Sequence, residues 1–164
     1  MPPTSPIREQ ILDEVETVLK AIAAGSTYFN TIAAAAVERM RQSPLSQDVT
    51  PAVAIIEGDE QKSSSAIAGH PVPAGLTLCV LPLELHFIFR ADVTTASENG
   101  NKLIHDLEVA MATVDGDIIG GALVRIDPTG NTLLLSDLSQ PIWEGAAFFE
   151  VIYRHKRGNP SAAK

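Results

Sequence analysis

The run Trp143-Glu144-Gly145-Ala146-Ala147-Phe148-Phe149-Glu150-Val151-Ile152-Tyr153 decides the fold. Side chains of a strand point alternately to its two faces, so Trp143, Gly145, Ala147, Phe149, Val151 and Tyr153 share one side. Glu144, Ala146, Phe148, Glu150, Ile152 and Arg154 share the other. The first set is apolar and the second mixed, which predicts a strand buried on one face and partly covered on the other. It leads into the basic cluster Arg154, His155, Lys156, Arg157, read as one exposed run, before Gly158-Asn159-Pro160 stops it.

A longer alternating stretch, Leu76 to Asp92, supplies a partner of the same character. Leu81, Leu83, Leu85, Phe87 and Phe89 fall opposite Pro82, Glu84, His86, Ile88 and Arg90. Pro82 cannot donate a ladder hydrogen bond, so this strand is expected at a sheet edge or bulged there. Ala52 to Glu57, introduced by Thr50-Pro51 and closed by Gly58-Asp59, reads as a short strand. Thr27 to Met40 carries mixed signals and is read as a strand, with Ser43-Pro44 as its breaker. After Gly120-Gly121, a strand through Ile126 is expected to turn at Asp127-Pro128-Thr129-Gly130 and return over Thr132 to Leu135 as a hairpin.

Two segments have the helical period instead. Ser5 as cap and Pro6 at the first helical position open one whose Ile7, Ile11, Leu12, Val15, Val18, Leu19 and Ile22 share a face, running toward Gly25. Ser97 is placed to cap the other, with Leu103, Ile104, Leu107, Ala110, Met111 and Val114 as its stripe and Asp115-Gly116 as its stop. The expected fold class is therefore α+β, a mainly antiparallel sheet with the two amphipathic helices packed on one face. At 164 residues a single domain spanning 1–164 is expected, large enough to bury roughly 70% of its unfolded surface. Residues 58–75, rich in Ser, Gly and Pro, are expected to form a long loop, and the tail from about 159 to be mobile.

Composition narrows the function classes. A net charge of −8 argues against affinity built on neutralising many phosphates. The single Cys79 permits no intramolecular disulfide and no thiolate metal cluster. No apolar run approaches the ~20 residues that span a bilayer, and no signal-like leader is evident, so synthesis in the cytoplasm and no membrane partner are expected.

Catalytic patterns are weak. His70, His86, His105 and His155 lack paired ligand spacing, and the solvated reading of His86 beside Glu84 and Arg90 is simpler than a zinc site. Asp115-Gly116-Asp117 is followed by Ile118-Ile119 rather than the oxygen ligands of a calcium loop. Ser63, Ser64 and Ser65 near His70 lack the rigid elbow of an activated nucleophile. No catalytic residue, cofactor or metal is assigned, and a small hydrolase or metal enzyme is the weaker class. The basic run 154–157 has three readings: a solvated strand end, a patch for an acidic neighbour, and a phosphate contact. Net acidity elsewhere favours the second, because identical subunits placed head to tail would set a basic end against an acidic edge.

The order of pieces, with an N-terminal amphipathic helix, Pro51-Ala52-Val53-Ala54-Ile55-Ile56-Glu57-Gly58-Asp59-Glu60, a long central strand, the helix from Asn101 to Ala112, Gly120-Gly121, and a closing Phe149-Glu150-Val151-Ile152-Tyr153-Arg154-His155-Lys156-Arg157-Gly158-Asn159-Pro160, resembles the tail terminator (tail completion) proteins of tailed bacteriophages and prophages. The resemblance spans residues 7 to 160. It implies a non-enzymatic virion protein at the head-proximal end of the tail. Such a subunit assembles as a hexameric ring, caps the tail tube, ends tube polymerisation and offers a docking surface to the neck or connector protein while DNA passes through without specific binding. Another head–tail joining component, of the neck or head-closure kind, is the alternative. On this reading Tyr153, Arg154 and Arg157, with His155 and Lys156 of the same run, lie near a subunit or tube contact, and Glu57, Asp59 and Glu60 lie on a loop that meets a neighbour.

Overall fold

Two strands of 15 residues each lie side by side through the middle of the structure, and everything else is arranged around them. The computed structural model describes residues 5–39, 45–64, 66–67, 70–114, 120–134 and 141–162. In chain order the elements are α1 (Ile7–Lys20), a 3-10 turn (Ala34–Ala36), β1 (Val37–Arg39), β2 (Ala52–Glu57), β3 (Gln61–Ser63), β4 (Ala66–Ile67), β5 (His70–Pro71), β6 (Leu76–Arg90), α2 (Ala96–Ala112), β7 (Leu123–Leu134) and β8 (Ile142–Lys156). The main sheet has six strands in the order β1-β2-β6-β8-β7, with β3 continuing the β2 side of β6; β4 and β5 form a separate two-stranded piece. Only β1 and β2 run parallel among the pairings of the main sheet; the others are antiparallel. The fold is α+β, as its periodicities require.

Register explains the core. Leu81, Leu83, Leu85, Phe87 and Phe89 stand opposite Val151, Phe149, Ala147, Gly145 and Trp143, so the apolar faces of β6 and β8 coincide. Against that face pack Ile7, Ile11, Leu12, Val15 and Leu19 of α1 and Leu103, Ile104, Leu107, Ala110 and Met111 of α2. Each such Ile, Leu, Val or Met side chain, fully buried, contributes about 1.5–3 kcal/mol from removal of apolar surface from water. On the other face, a small cluster of Leu78, Val80 and Ile152 is covered by Val72.

Several sequence expectations need correction. β6 is central, not an edge strand. Pro82 is accommodated because β2 ends opposite Leu83 and β3 resumes opposite Val80. In that break the Gly58 N–H donates to the Pro82 carbonyl at 2.9 Å. A residue's N–H and C=O point the same way in a strand, so the missing donor faces the interruption. The expected 58–75 loop carries β3, β4 and β5. The expected hairpin at Asp127–Gly130 is one continuous strand, β7, because β8 is long enough to pair with both halves. The turn-like residues are absorbed as an irregularity between Pro128 and Gly130.

Of the strand expected over 27–40, only Val37–Arg39 forms among the described residues. The carboxylate of Asp106 accepts the N–H groups of Phe29 (2.9 Å) and Asn30 (2.8 Å), which takes those donors away from any ladder. Ser5 makes no cap; Pro6 occupies that position, and the Ile7 N–H donates instead to the carbonyl of Pro160 at 2.9 Å. Residues 159–162 fold back near the end of β8, where the Lys156 N–H donates to Ala162 O at 2.6 Å. The expected breaker Ser43-Pro44 and the Asp115-Gly116 stop lie outside the described residues.

Candidate functional site

Because the odd-numbered residues of β8 face the helices, Tyr153 is turned inward and is 2% exposed. Its hydroxyl donates to the Glu60 carboxylate. Glu60 precedes β3, and the β3–β6–β8 register brings Lys62 opposite Cys79 and Cys79 opposite Tyr153. Lys62 Nζ lies 2.7 Å from Glu60 Oε1. On the α1 side, Arg8 donates from Nε (2.9 Å) and Nη2 (2.5 Å) to Glu57 Oε2. Arg39 reaches from β1 to Glu9 (3.0 Å) and Asp13 (2.9 Å) of α1, with Glu57 3.9 Å away. The outcome is an ionic seam in which Arg8 and Arg39 fasten the first turns of α1 to β1 and β2, and the contacts of Glu60 tie β3 to β8. Beside it is a cavity of about 120 Å³ lined by Pro6, Arg8, Glu60, Lys62, Tyr153 and His155.

The electrostatics of the seam are those of a fastening. Burial works against the charge of Glu60, but hydrogen bonds from Lys62 and Tyr153 hold its carboxyl below the ordinary carboxylate value. Burial, then the hydrogen bond to Glu60, pushes the Tyr153 phenol far up. Burial pushes the Cys79 thiol up to about 11. Neither Cys79 nor Tyr153 is an anion near neutral pH, so neither is an activated nucleophile there.

The sequence candidates therefore separate into two groups. Glu57, Glu60 and Tyr153 come together within the seam. Asp59 is exposed in the turn between β2 and β3. The basic run is not the exposed block expected of it, because β8 continues through Lys156 and its alternation continues too. Arg154 is half-buried, with Nη2 3.5 Å from the Gly121 carbonyl and its Nε buried without a partner. His155 is buried, with Nδ1 2.9 Å from the Lys156 carbonyl; a carbonyl only accepts, so Nδ1 carries the proton. Lys156 and Arg157 are exposed.

Of the twelve Lys and Arg residues, Arg41 and Lys164 lie outside the described residues. Arg8, Lys20, Arg39, Lys62, Lys102 and Arg125 pair with carboxylates. Arg90 donates to the Gln47 carbonyl and Arg154 to that of Gly121. Among the described residues, Lys156 and Arg157 are left as cations with neither kind of side-chain partner. The histidines are dispersed: His86 Nε2 is 3.6 Å from Glu144, and His105 stands edge-on to Phe29. His70 lies in β5 and Ser63 in β3, while Ser65 is outside the described residues. Among the described residues no group of three or more His, Cys, Asp or Glu is disposed to hold a metal ion.

Reading the sequence missed Arg8, Arg39, Lys62 and Asp106. Two of them had a signal. A cation in the first turn of a helix opposes the helix dipole, which asks for a carboxylate nearby. An aspartate between Leu103, Ile104 and Leu107 sits on a buried stripe and has to be satisfied there. No protein-family model matches the chain, and no curated protein sequence matches it.

Proposed function

We propose that this chain is a structural assembly subunit of the tail terminator kind: a virion protein that builds a ring on the head-proximal end of a phage tail tube. There it ends tube polymerisation and presents a docking surface to the neck or connector. Its partners on this reading are further copies of itself, in a ring of about six, and the tube and connector proteins; DNA passes without specific binding. The observation that carries the reading is the placement of charge. In a chain of net charge −8, Lys156 and Arg157, which have no side-chain partner among the described residues, stand together at one end of the longest strand pair, where a second acidic copy would neutralise them. The resemblance of the 51–60 and 153–160 segments to tail terminators supplies the particular assembly. The polar candidates nearest to chemistry, Glu60 and Tyr153, are engaged with each other and with Lys62, which supports a reading in which the working parts lie on the surface.

The test is light scattering with negative-stain imaging of the purified protein, followed by sedimentation with isolated tail tubes. Rings of about six subunits that co-sediment with tubes and halt their growth are the expected result. Binding to DNA-filled heads but not to tubes would move the assignment to a neck or head-closure part. Assembly with neither would overturn it.

A further inference from the structure

The helices cover one face of the sheet, and among the described residues the centre of the opposite face is open. There the outward residues of β2, β6 and β8 form a groove of about 350 Å³ whose floor includes Ile56, Pro82 and Phe148. Ile56 is 38% exposed, a large apolar side chain facing solvent in the middle of a sheet. Glu84 and Glu150 line the same groove, standing across the strands from Phe148 and Pro82. Neither carboxylate has a cationic or hydrogen-bonding partner among the described residues, in contrast to Glu57 and Glu60. The groove is thus apolar at its floor and carries two free negative charges at its wall. A segment that fills it needs an aliphatic stem and a cationic head, which is the chemistry of lysine and arginine.

The chain carries such a segment. Among the described residues Lys156 and Arg157 are the cations without a side-chain partner, and they lie on β8 itself or directly after it. Their own groove is out of reach. Glu150 and Lys156 are six residues apart on one strand, about 20 Å at ~3.4 Å per residue, and the covered cluster of Ile152 and Val72 lies between. We infer that the groove of Ile56, Pro82 and Phe148, walled by Glu84 and Glu150, receives the basic end Lys156–Arg157 of a second copy of this chain. The inference rests on the assembly reading above and names the two surfaces through which the copies meet. Each copy presents one groove and one basic end, so the contact is heterologous and propagates until it closes.

The experiment is a charge swap read by light scattering. Lys156→Glu with Arg157→Glu, and separately Glu84→Lys with Glu150→Lys, are each expected to weaken self-association about tenfold or more, because like charges then face each other. Combining all four substitutions is expected to restore it. Circular dichroism and melting temperature establish that each variant is folded. Zero-length carbodiimide cross-linking of mixed isotopically light and heavy copies is expected to join Lys156 of one copy to Glu84 or Glu150 of another. Association that ignores the reversals, a fourfold variant that does not recover, or a wild-type protein that neither associates nor cross-links would overturn the inference. Failure of the assembly reading looks different. Rings that cap tubes but ignore the swap sink the contact and leave the function, while a closed dimer that obeys the swap keeps the contact and removes the ring.

Discussion

Glu60 carries the most direct chemical consequence at the level of single residues. Its carboxyl is held below the ordinary value by Lys62 and Tyr153 in spite of burial. The stability it contributes is therefore complete above the ordinary carboxylate range and is lost as pH falls through the lowered value. Glu60→Gln is expected to cost about 1.5–3 kcal/mol at neutral pH, the size of a hydrogen bond to a charged group. The gap from wild type should narrow in urea melts taken below about pH 4, where an ordinary carboxyl is protonated; a gap independent of pH would show that packing, not charge, is at stake. Cys79 gives a second check. With its thiol pushed up to about 11 by burial, it should resist a disulfide reagent in the native protein and react fully once denaturant unfolds the chain. Asp106, 0% exposed, answers for the loop before β1: Asp106→Ala leaves the N–H groups of Phe29 and Asn30 without their acceptor. A loss of about 1–3 kcal/mol is expected, because the lost acceptor is buried while the amides it holds are only partly so. Hydrogen exchange at those two amides should rise with it, and unchanged exchange would mean that water already satisfies them.

At the level of elements, packing decides which glycines matter. A Cβ at Gly145 would stand 2.6 Å from both the Phe87 ring and the Thr132 carbonyl oxygen. The carbonyl belongs to the backbone of β7 and cannot swing aside, so Gly145→Ala is expected to cost about 1–3 kcal/mol or more by overpacking. At Gly100 the nearest obstacle is the end of the Leu133 side chain, at 2.7 Å. That end is flexible, and alanine gains about 1 kcal/mol over glycine inside a helix, so Gly100→Ala should be the milder change. Urea melts of the two variants give the order, and a reversed order would mean that Leu133 is held more rigidly than a β7 strand. These contacts also mark how far the sequence could be read. β6, β8 and both helices were legible because each carries its own period over a dozen or more residues. β7 was misjudged as a hairpin because Asp-Pro-Thr-Gly has turn chemistry, and only the length of β8 decides that both halves find a partner. β3 is three residues long and owes its existence to the free edge of β6 beyond Gly58, which no local pattern reports. The same holds for the seam: Tyr153, Glu57 and Glu60 were singled out, but as surface groups, since their burial depends on where α1 lands.

For the whole molecule, the distribution of charge matters more than its sum. A chain of net charge −8 still binds nucleic acid if its cations are free and grouped, so the relevant quantity is how many are free. Among the described residues, Lys156 and Arg157 are the cations without an internal partner, and they sit beside a sheet face on which Glu84, Glu144 and Glu150 point outward. Two cations neutralise two phosphates at most. Counterion release then limits the slope of log affinity against log salt to about −1.8 on duplex DNA. For one subunit that corresponds to affinity at or below the ordinary non-specific range, and in the proposed ring these cations would face a neighbour's Glu84 and Glu150 rather than DNA. Fluorescence anisotropy of a labelled duplex, titrated with protein at two salt concentrations, should show little binding at the lower salt and none at the higher. The Lys156→Glu, Arg157→Glu variant should lose what little binding the wild type shows at the lower salt. Tight binding with a slope steeper than about −2 would require more free cations than these elements offer, and would remove the account of DNA passing without adhesion.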